Sequence, residues 1–206
     1  MKVKFHKAEL KNLITEYTDK ALYPGSPEIE RRLLRKTDTL ILSELHPQEI
    51  ENLKNNMTHP VIHPSDCVVP QVHNRNGWEM IKALTPPSTK RGAVLIDPSY
   101  EETQDYLDAA KYICEINRKW SNGIIMLWYP LLLHREGEIE TMINTIISSA
   151  KNVNANIEIS NLQLCVYEKD SPDLPRLYGS GMLVINSPWK LEEEGTTVIN
   201  FVKSVL

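Results

Sequence analysis

Residues 93–96 read Ala-Val-Leu-Ile, and Asp97-Pro98-Ser99-Tyr100 stops this apolar run at once. So short a run, closed by a proline turn, is a buried strand. It delivers a carboxylate, a rigid turn and an aromatic ring to one edge of a sheet, and Glu101-Glu102 follow directly.

The segments around it alternate between helical and strand-like patterns, which points to an α/β domain with a mainly parallel sheet. Helices are expected over 6–20, from Ser26 to about Lys36, from Pro47 to about Met57, and over 77–84, 101–120 and 135–150, with a last one after Pro188-Trp189. Ser26 before Pro27 reads as an N-cap followed by proline at the first helical position. Strands are expected over 39–45, around Val68 to Val72, over 92–97 and from Gly123 to Tyr129. Ile157–Glu168 and Tyr178–Asn186 read as an antiparallel pair.

With 206 residues, 24% charged and 41% hydrophobic, the chain has material for one domain with a real core. Cys67, Cys114 and Cys165 are few and widely spaced, which favours a reducing, cytoplasmic setting over a disulfide framework. The start has no apolar signal core. The greasiest stretch, Ile124 to Leu133, is broken by Pro130 and shorter than the ~20 residues of a spanning helix. A net charge of −4 argues against broad attraction to phosphate. Arg31, Arg32, Arg35 and Lys36, with Lys90-Arg91 elsewhere, form either a local phosphate footprint or a solvated face balanced by Glu28 and Glu30.

Asp97, Pro98 and Tyr100 suit one chemistry in particular. An exocyclic amine of a nucleobase is a poor nucleophile because its lone pair is delocalised into the ring. Accepting hydrogen bonds from both amino protons favours a pyramidal nitrogen whose lone pair faces an electrophilic methyl. Asp97 can supply one acceptor, the Pro98 carbonyl another, and Tyr100 can stack on an extruded base. The competing reading is structural, since Ser99 and Glu102 have capping-box spacing and could merely start a helix.

The surrounding stretches carry a resemblance. Tyr23-Pro24-Gly25-Ser26-Pro27, Ser43-Glu44-Leu45-His46-Pro47, Asn76-Gly77, Arg91 to Glu101, Gly123-Ile124, Leu127-Trp128-Tyr129-Pro130, Ser180-Gly181-Met182 and Ile185-Asn186 through Glu192 cover nearly the whole chain. Together they resemble the bacterial methyltransferase family that makes N6-methyladenine in large-subunit ribosomal RNA. The resemblance implies a Rossmann-like class I methyltransferase fold over residues 1–206, mostly parallel with a C-terminal antiparallel strand. It implies S-adenosyl-L-methionine as cofactor, protein-free ribosomal RNA as partner and a monomer. Glu44 would accept the cofactor's ribose hydroxyls, Ser26 would contact it, and Asn76 and Gly77 would lie beside its adenine. Asp97 would sit between cofactor and target amine, Pro98 would offer its carbonyl and Tyr100 would hold the base. Plain readings stand beside these: a helix-entry carboxylate for Glu44, an N-cap for Ser26, a turn for Asn76-Gly77.

The chain also departs from that family. The N-terminal segment and the first strand with its Gly-rich cofactor loop are missing, so the domain is expected to be N-terminally incomplete. That strand normally lies between those of Glu44 and Asp97, leaving direct pairing, an open centre or another chain as alternatives. Asn76 stands where an acid is usual. Ser99 replaces a second proline, which predicts a looser turn. Other functions remain open: an inactive remnant with weak nucleic-acid binding, or a DNA adenine methyltransferase linked to use of external DNA. Asn186-Ser187-Pro188-Trp189 has a similar signature but reads as a structural turn with a packed Trp189. His59, His63, His73 and Cys67 are interrupted by prolines, and no metal site is expected.

Overall fold

The computed structural model describes residues 7–60, 67–89, 91–167 and 175–205. His6, His63, Lys90, Glu168 and Pro172, on which some sequence expectations fall, lie outside them. The chain divides into two compact units, residues 1–80 and 81–206.

In the first unit, α1 (Lys7–Thr18) precedes α2 (Ser26–Leu33), β1 (Ile41–Glu44), α3 (Pro47–Thr58) and β2 (Gln71–Asn74). β1 and β2 pair in parallel, with Ile41 opposite Gln71 and Glu44 opposite Asn74. Helix α3 packs on this pair. Leu40, Leu42, Met57 and Val68 form its small core, with Leu34, Leu53 and Val72 against them. Leu13 and Tyr17 of α1 are buried, whereas Ile14 is exposed.

Helix α2 ends three residues before the expected Lys36. Leu34 is already extended at ψ 149°. Asp38 then draws Arg35 into a tight loop, taking its main-chain N–H at 2.9 Å and its guanidinium Nη2 at 2.5 Å. The arginines therefore do not form one free basic face. Arg31 is buried in a forked pair with Glu28, at 2.6 and 2.7 Å, and Tyr17 donates its hydroxyl to the same carboxylate at 2.5 Å. Arg32 reaches Glu16 at 2.8 Å. A buried charge is tolerated only when paired in this manner. The balancing acids are Glu28, Glu16 and Asp38; Glu30 does not pair with these arginines.

Helix α4 (Gly77–Leu84) crosses the division between the units. The second unit continues with β3 (Ala93–Ile96), α5 (Thr103–Lys119), β4 (Ile124–Leu132), a 3-10 turn (Leu133–Arg135), α6 (Glu136–Val153), β5 (Ile159–Cys165), β6 (Leu177–Ile185) and α7 (Leu191–Val205). The sheet order is β3-β4-β6-β5. β3 and β4 are parallel, and β6 lies antiparallel to both β4 and β5, so the expected antiparallel return is present. Among the described residues β1 pairs only with β2 and β3 only with β4, leaving each with one edge free of a strand partner.

β4 runs three residues past the expected Tyr129, straight through Pro130. β3 accompanies it only to Leu127. Backbone groups two residues apart on a strand point to the same side, so the N–H that Pro130 lacks falls on the side of the Trp128 carbonyl, beyond the end of β3. A proline is harmless there. The Tyr129 side chain is fully buried and crosses over Gly181 of β6 to reach Asn161 at 2.6 Å and Gln163 at 2.9 Å on β5. A Cβ on Gly181 would lie 2.1 Å from the Tyr129 ring. Only glycine permits this crossing.

Gly181→Ala is therefore expected to destabilise the protein by about 1–3 kcal/mol, the usual cost of overpacking. The midpoint of urea unfolding measures it, and an unchanged midpoint would mean that the tyrosine moves freely.

Candidate active site

The expected site residues fall into two groups, one in each unit: Glu44, Asn76 and Gly77 lie at or just after the ends of β1 and β2, Asp97, Pro98 and Tyr100 follow β3, and Ser26 lies at the start of α2. In the first unit, the register that sets Glu44 opposite Asn74 puts the ends of β1 and β2 side by side. The Ser43 hydroxyl stitches them by donating to the Arg75 carbonyl at 2.6 Å. The resemblance gives Ser43 no role of its own, and a strand serine gives no hint of a partner thirty-two residues away.

Glu44 Oε1 accepts the main-chain N–H groups of Leu45 and His46, at 2.7 and 2.8 Å. The helix-entry reading is thus realised just before α3. An ionised carboxylate has about four acceptor positions, so capacity for two ribose hydroxyls remains. Asn76 caps α4, its Oδ1 accepting from Trp78 at 2.9 Å and Glu79 at 3.2 Å. Asparagine and aspartate are equivalent N-caps, which explains how an acid can be exchanged here without loss of the helix start. A Cβ on Gly77 would meet nothing within 4 Å. Neither crowding within the chain nor a left-handed backbone demands glycine at this place; close approach of a ligand would.

Ser26 is exposed and is the first residue of α2, whose N-cap is Gly25 without a side-chain cap. The expected capping role thus moves back by one residue, with Pro27 at the second position. The turn borders a pocket of about 220 Å³ walled by Tyr17, Tyr23, Pro24, Gly25, Pro27 and Leu53, among others.

In the second unit, Asp97 leaves β3 and reaches solvent, yet burial of its surroundings raises its carboxyl above the ordinary value of 3.8. Pro98 is half-buried. Helix α5 does not begin at Ser99. Its cap is Glu102, whose N–H donates to Asp105 at 3.2 Å, and the first helical residue is Thr103. The capping-box expectation is thus displaced by three residues, and 97–101 form a non-helical turn. The Ser99 hydroxyl also donates to Asp105, at 3.3 Å. This link ties down the turn that a second proline would otherwise stiffen.

Tyr100 is the unexpected member. Its φ is +54°, an uncommon conformation for a bulky residue and one that costs about 1–3 kcal/mol unless its surroundings enforce it. The ring is 4% exposed, with its centroid 4.8 Å from that of Tyr106 and 6.3 Å from that of Trp128. Its hydroxyl donates to the Trp128 carbonyl at 2.8 Å. Burial pushes that hydroxyl far above its usual range, so it stays a neutral donor. The ring packs against Tyr106 and Trp128 within the fold. Trp128 contributes a main-chain carbonyl, which no residue type announces in a sequence. Beyond the turn, Arg135 joins Thr103 at 2.6 Å and Glu138 at 2.9 Å, tying the start of α5 to that of α6.

The second signature behaves as a structural turn. Asn186, at φ +55°, donates to the carbonyls of Ser121 and Gly123 at 3.0 and 2.6 Å. Trp189, expected to pack, is instead 81% exposed beneath the Lys190 ammonium, 4.6 Å from its ring centroid. Among the described residues no group of three metal-ligating side chains comes together, and no helix is long and apolar enough to cross a membrane.

Residues 8–206 match the family described as "Ribosomal RNA large subunit methyltransferase D, RlmJ". The chain is 36% identical over 186 residues to Ribosomal RNA large subunit methyltransferase J of Escherichia coli, covering 89% of this chain and 60% of that protein. It is 33% identical over 184 residues to the protein of the same name from Haemophilus influenzae, again covering 89% of this chain and 60% of the relative. A crystal structure of a Legionella pneumophila protein, 27% identical, superposes with a TM-score of 0.71 over 88% of this chain and 61% of that one. The chain belongs to this ribosomal RNA large subunit methyltransferase family, and it spans about three fifths of the length of the curated relatives it matches.

Asn76→Ala is expected to cost about 1 kcal/mol through loss of the α4 cap, and Asn76→Asp close to nothing. Chemical denaturation of the two variants measures this; equal losses would contradict the capping assignment.

Proposed function

We propose that this family member transfers a methyl group from S-adenosylmethionine to the N6 amine of an adenine in large-subunit ribosomal RNA, with residues 1–206 acting as one class I methyltransferase domain. The observation that carries the reading is the turn after β3. Asp97 emerges from a parallel strand with a raised carboxyl, and the helix is held off until Thr103. A carboxylate and the carbonyl of the next residue are thereby kept out of helical hydrogen bonding. The names of the relatives, ribosomal RNA large subunit methyltransferases, support RNA as substrate.

The residues of the first unit suit the cofactor. Glu44 has acceptors for ribose hydroxyls, the open space at Gly77 admits a ring against the backbone, and Asn76 and Ser26 supply polar edges. When bound, S-adenosylmethionine supplies an electrophilic methyl. Asp97 and the Pro98 carbonyl each take a hydrogen bond from the adenine amine, which frees its lone pair. The nitrogen must shed one proton as it gains the methyl group, and Asp97 is the acceptor. A carboxylate with raised proton affinity suits that duty.

Asp97→Asn is expected to lower methyl transfer to protein-free large-subunit ribosomal RNA by about 10²–10³-fold, the scale for removing one electrostatic group from a reacting centre. The neutral acid prevails below the raised pKa, so wild-type activity is lost on acidification at a pH above the ordinary 3.8. The sign for stability is opposite. The folded state binds more protons between 3.8 and the raised value, so stability falls as pH rises through that window. Asp97→Asn should thus be at least as stable as wild type at neutral pH. Radiolabelled methyl transfer and thermal melting together test this; a fully active, well-folded Asp97→Asn protein would refute the assignment.

A further inference from the structure

We propose that the groove between the carboxyl-terminal halves of α5 and α6 holds the sugar–phosphate backbone of the ribosomal RNA, with Arg118 taking a phosphate and the neutral side chains of α6 bonding nearby phosphate oxygens and ribose hydroxyls. This deepens the function proposed above and rests on RNA being the substrate. The groove is open, about 620 Å³ in volume, and is lined chiefly by Arg118 of α5 and by Asn144, Thr145, Ser148, Ser149 and Asn152 of α6. Two independent observations give it this occupant.

The first is electrostatic. Arg31, Arg32, Arg35 and Arg135 each meet a carboxylate. Arg118 is exposed, and among the described residues its guanidinium meets the Ser149 hydroxyl, at 3.4 Å, and no carboxylate. Residues 141–153 contain no acid, and Lys119 and Lys151 stand exposed near the same ends of the two helices. Glu115, one turn before Arg118, is engaged by Lys82 at 3.3 Å. Basic residues at helix ends also complement the macrodipole, but the macrodipole does not explain the side chains beside them.

Those side chains are the second observation, because the exposed face of α6 is built from residues that disfavour helices. Thr141, Asn144, Thr145, Ser148 and Asn152 are all exposed. Serine, threonine and asparagine rank below alanine, glutamate and lysine in helix propensity because of lost rotamer freedom or competition for backbone groups. Thr145 donates back to the Thr141 carbonyl at 2.7 Å. Local choices that oppose the fold mark functional sites. Neutral hydroxyls and amides are what phosphate oxygens and ribose hydroxyls bond to. A protein partner would call for an apolar centre, and the lining is apolar only at Val153. Arg118 lies roughly 22 Å along α5 from Thr103, which follows the turn at 97–101. The groove therefore grips RNA several nucleotides from the reacting adenine and adds affinity without entering the chemical step.

The test uses the full chain with protein-free large-subunit ribosomal RNA, and reads filter binding over a salt series, methyl transfer and thermal melting. Arg118→Ala is expected to weaken binding about tenfold at low salt and to reduce the slope of log affinity against log salt by about 1. The triple variant Asn144→Ala, Thr145→Ala, Ser148→Ala is expected to weaken binding about fivefold or more. It should also melt about 3–6 °C higher, since alanine is the better helix former. In both variants KM for RNA rises, while kcat and the KM for S-adenosylmethionine keep their wild-type values. A merely solvated face would give the higher melting temperature with unchanged RNA affinity, and wild-type affinity in either variant overturns the inference. If that affinity is accompanied by altered self-association in sedimentation, the groove serves a second copy of the chain instead. Binding is read apart from turnover, so the two proposals fail separately. Should the wild-type protein bind RNA through the groove but transfer no methyl group, the functional reading fails and the groove stands. Should it transfer methyl groups while a variant binds as wild type does, the groove alone fails.

Discussion

The second unit depends on one constraint: a chain leaving the half-buried parallel strand β3, of which only Ile96 is fully buried, must turn toward its helix without starting that helix too soon. Helices propagate readily once an N-terminus is capped, and Ser99 offers a cap three residues early. The left-handed Tyr100 prevents this. A positive φ cannot be part of a right-handed helix, so capping is deferred to Glu102 and Asp105. The strain is offset by burial of the ring and by the bond to Trp128. Polar groups at 97 and 98 then remain outside regular structure, where the proposed chemistry would require them.

The first unit solves a related problem with polar side chains. Glu44 and Asn76 each satisfy orphan N–H groups at the approach to a helix, α3 and α4 respectively. Such capping is commonly treated as a rival to ligand binding. Here the two roles are compatible, because a carboxylate has more acceptor positions than two local amides consume. The local bonds also hold the side chain in one rotamer, so less entropy is lost when a ligand arrives. The Ser43–Arg75 bond keeps the two strand ends together.

Much of this was legible in the sequence, for identifiable reasons. Strands such as Ala93–Ile96 and helices such as Thr103–Lys119 emerged within a few residues, because apolar periodicity and proline punctuation act locally. The antiparallel return of β6 was legible too. What escaped depended on partners distant in the chain. β4 passes through Pro130 because β3 has already ended, a fact held in the pairing register. Tyr100 turns inward because a carbonyl twenty-eight residues away is free to receive it. Trp189 reads as packed within a structural turn, yet the chain exposes it.

The arginines of the first unit bear on how an RNA would be held. Arg31, Arg32 and Arg35 meet Glu28, Glu16 and Asp38 at 2.8 Å or less, and Arg31 is buried. To grip a phosphate, each would first give up a carboxylate, and for Arg31 that means leaving Glu28 uncompensated inside the fold. For the buried Arg31 the exchange is unfavourable, so this cation serves the scaffold, whereas the exposed Arg35–Asp38 pair is easily given up. With a net charge of −4 over 206 residues, the chain also lacks a general excess with which to attract polyanions. Binding that relies on few phosphate contacts releases few counterions and responds weakly to salt. An RNA held by this chain would then be recognised chiefly through its shape and its unstacked bases, which suits chemistry on a single extruded adenine.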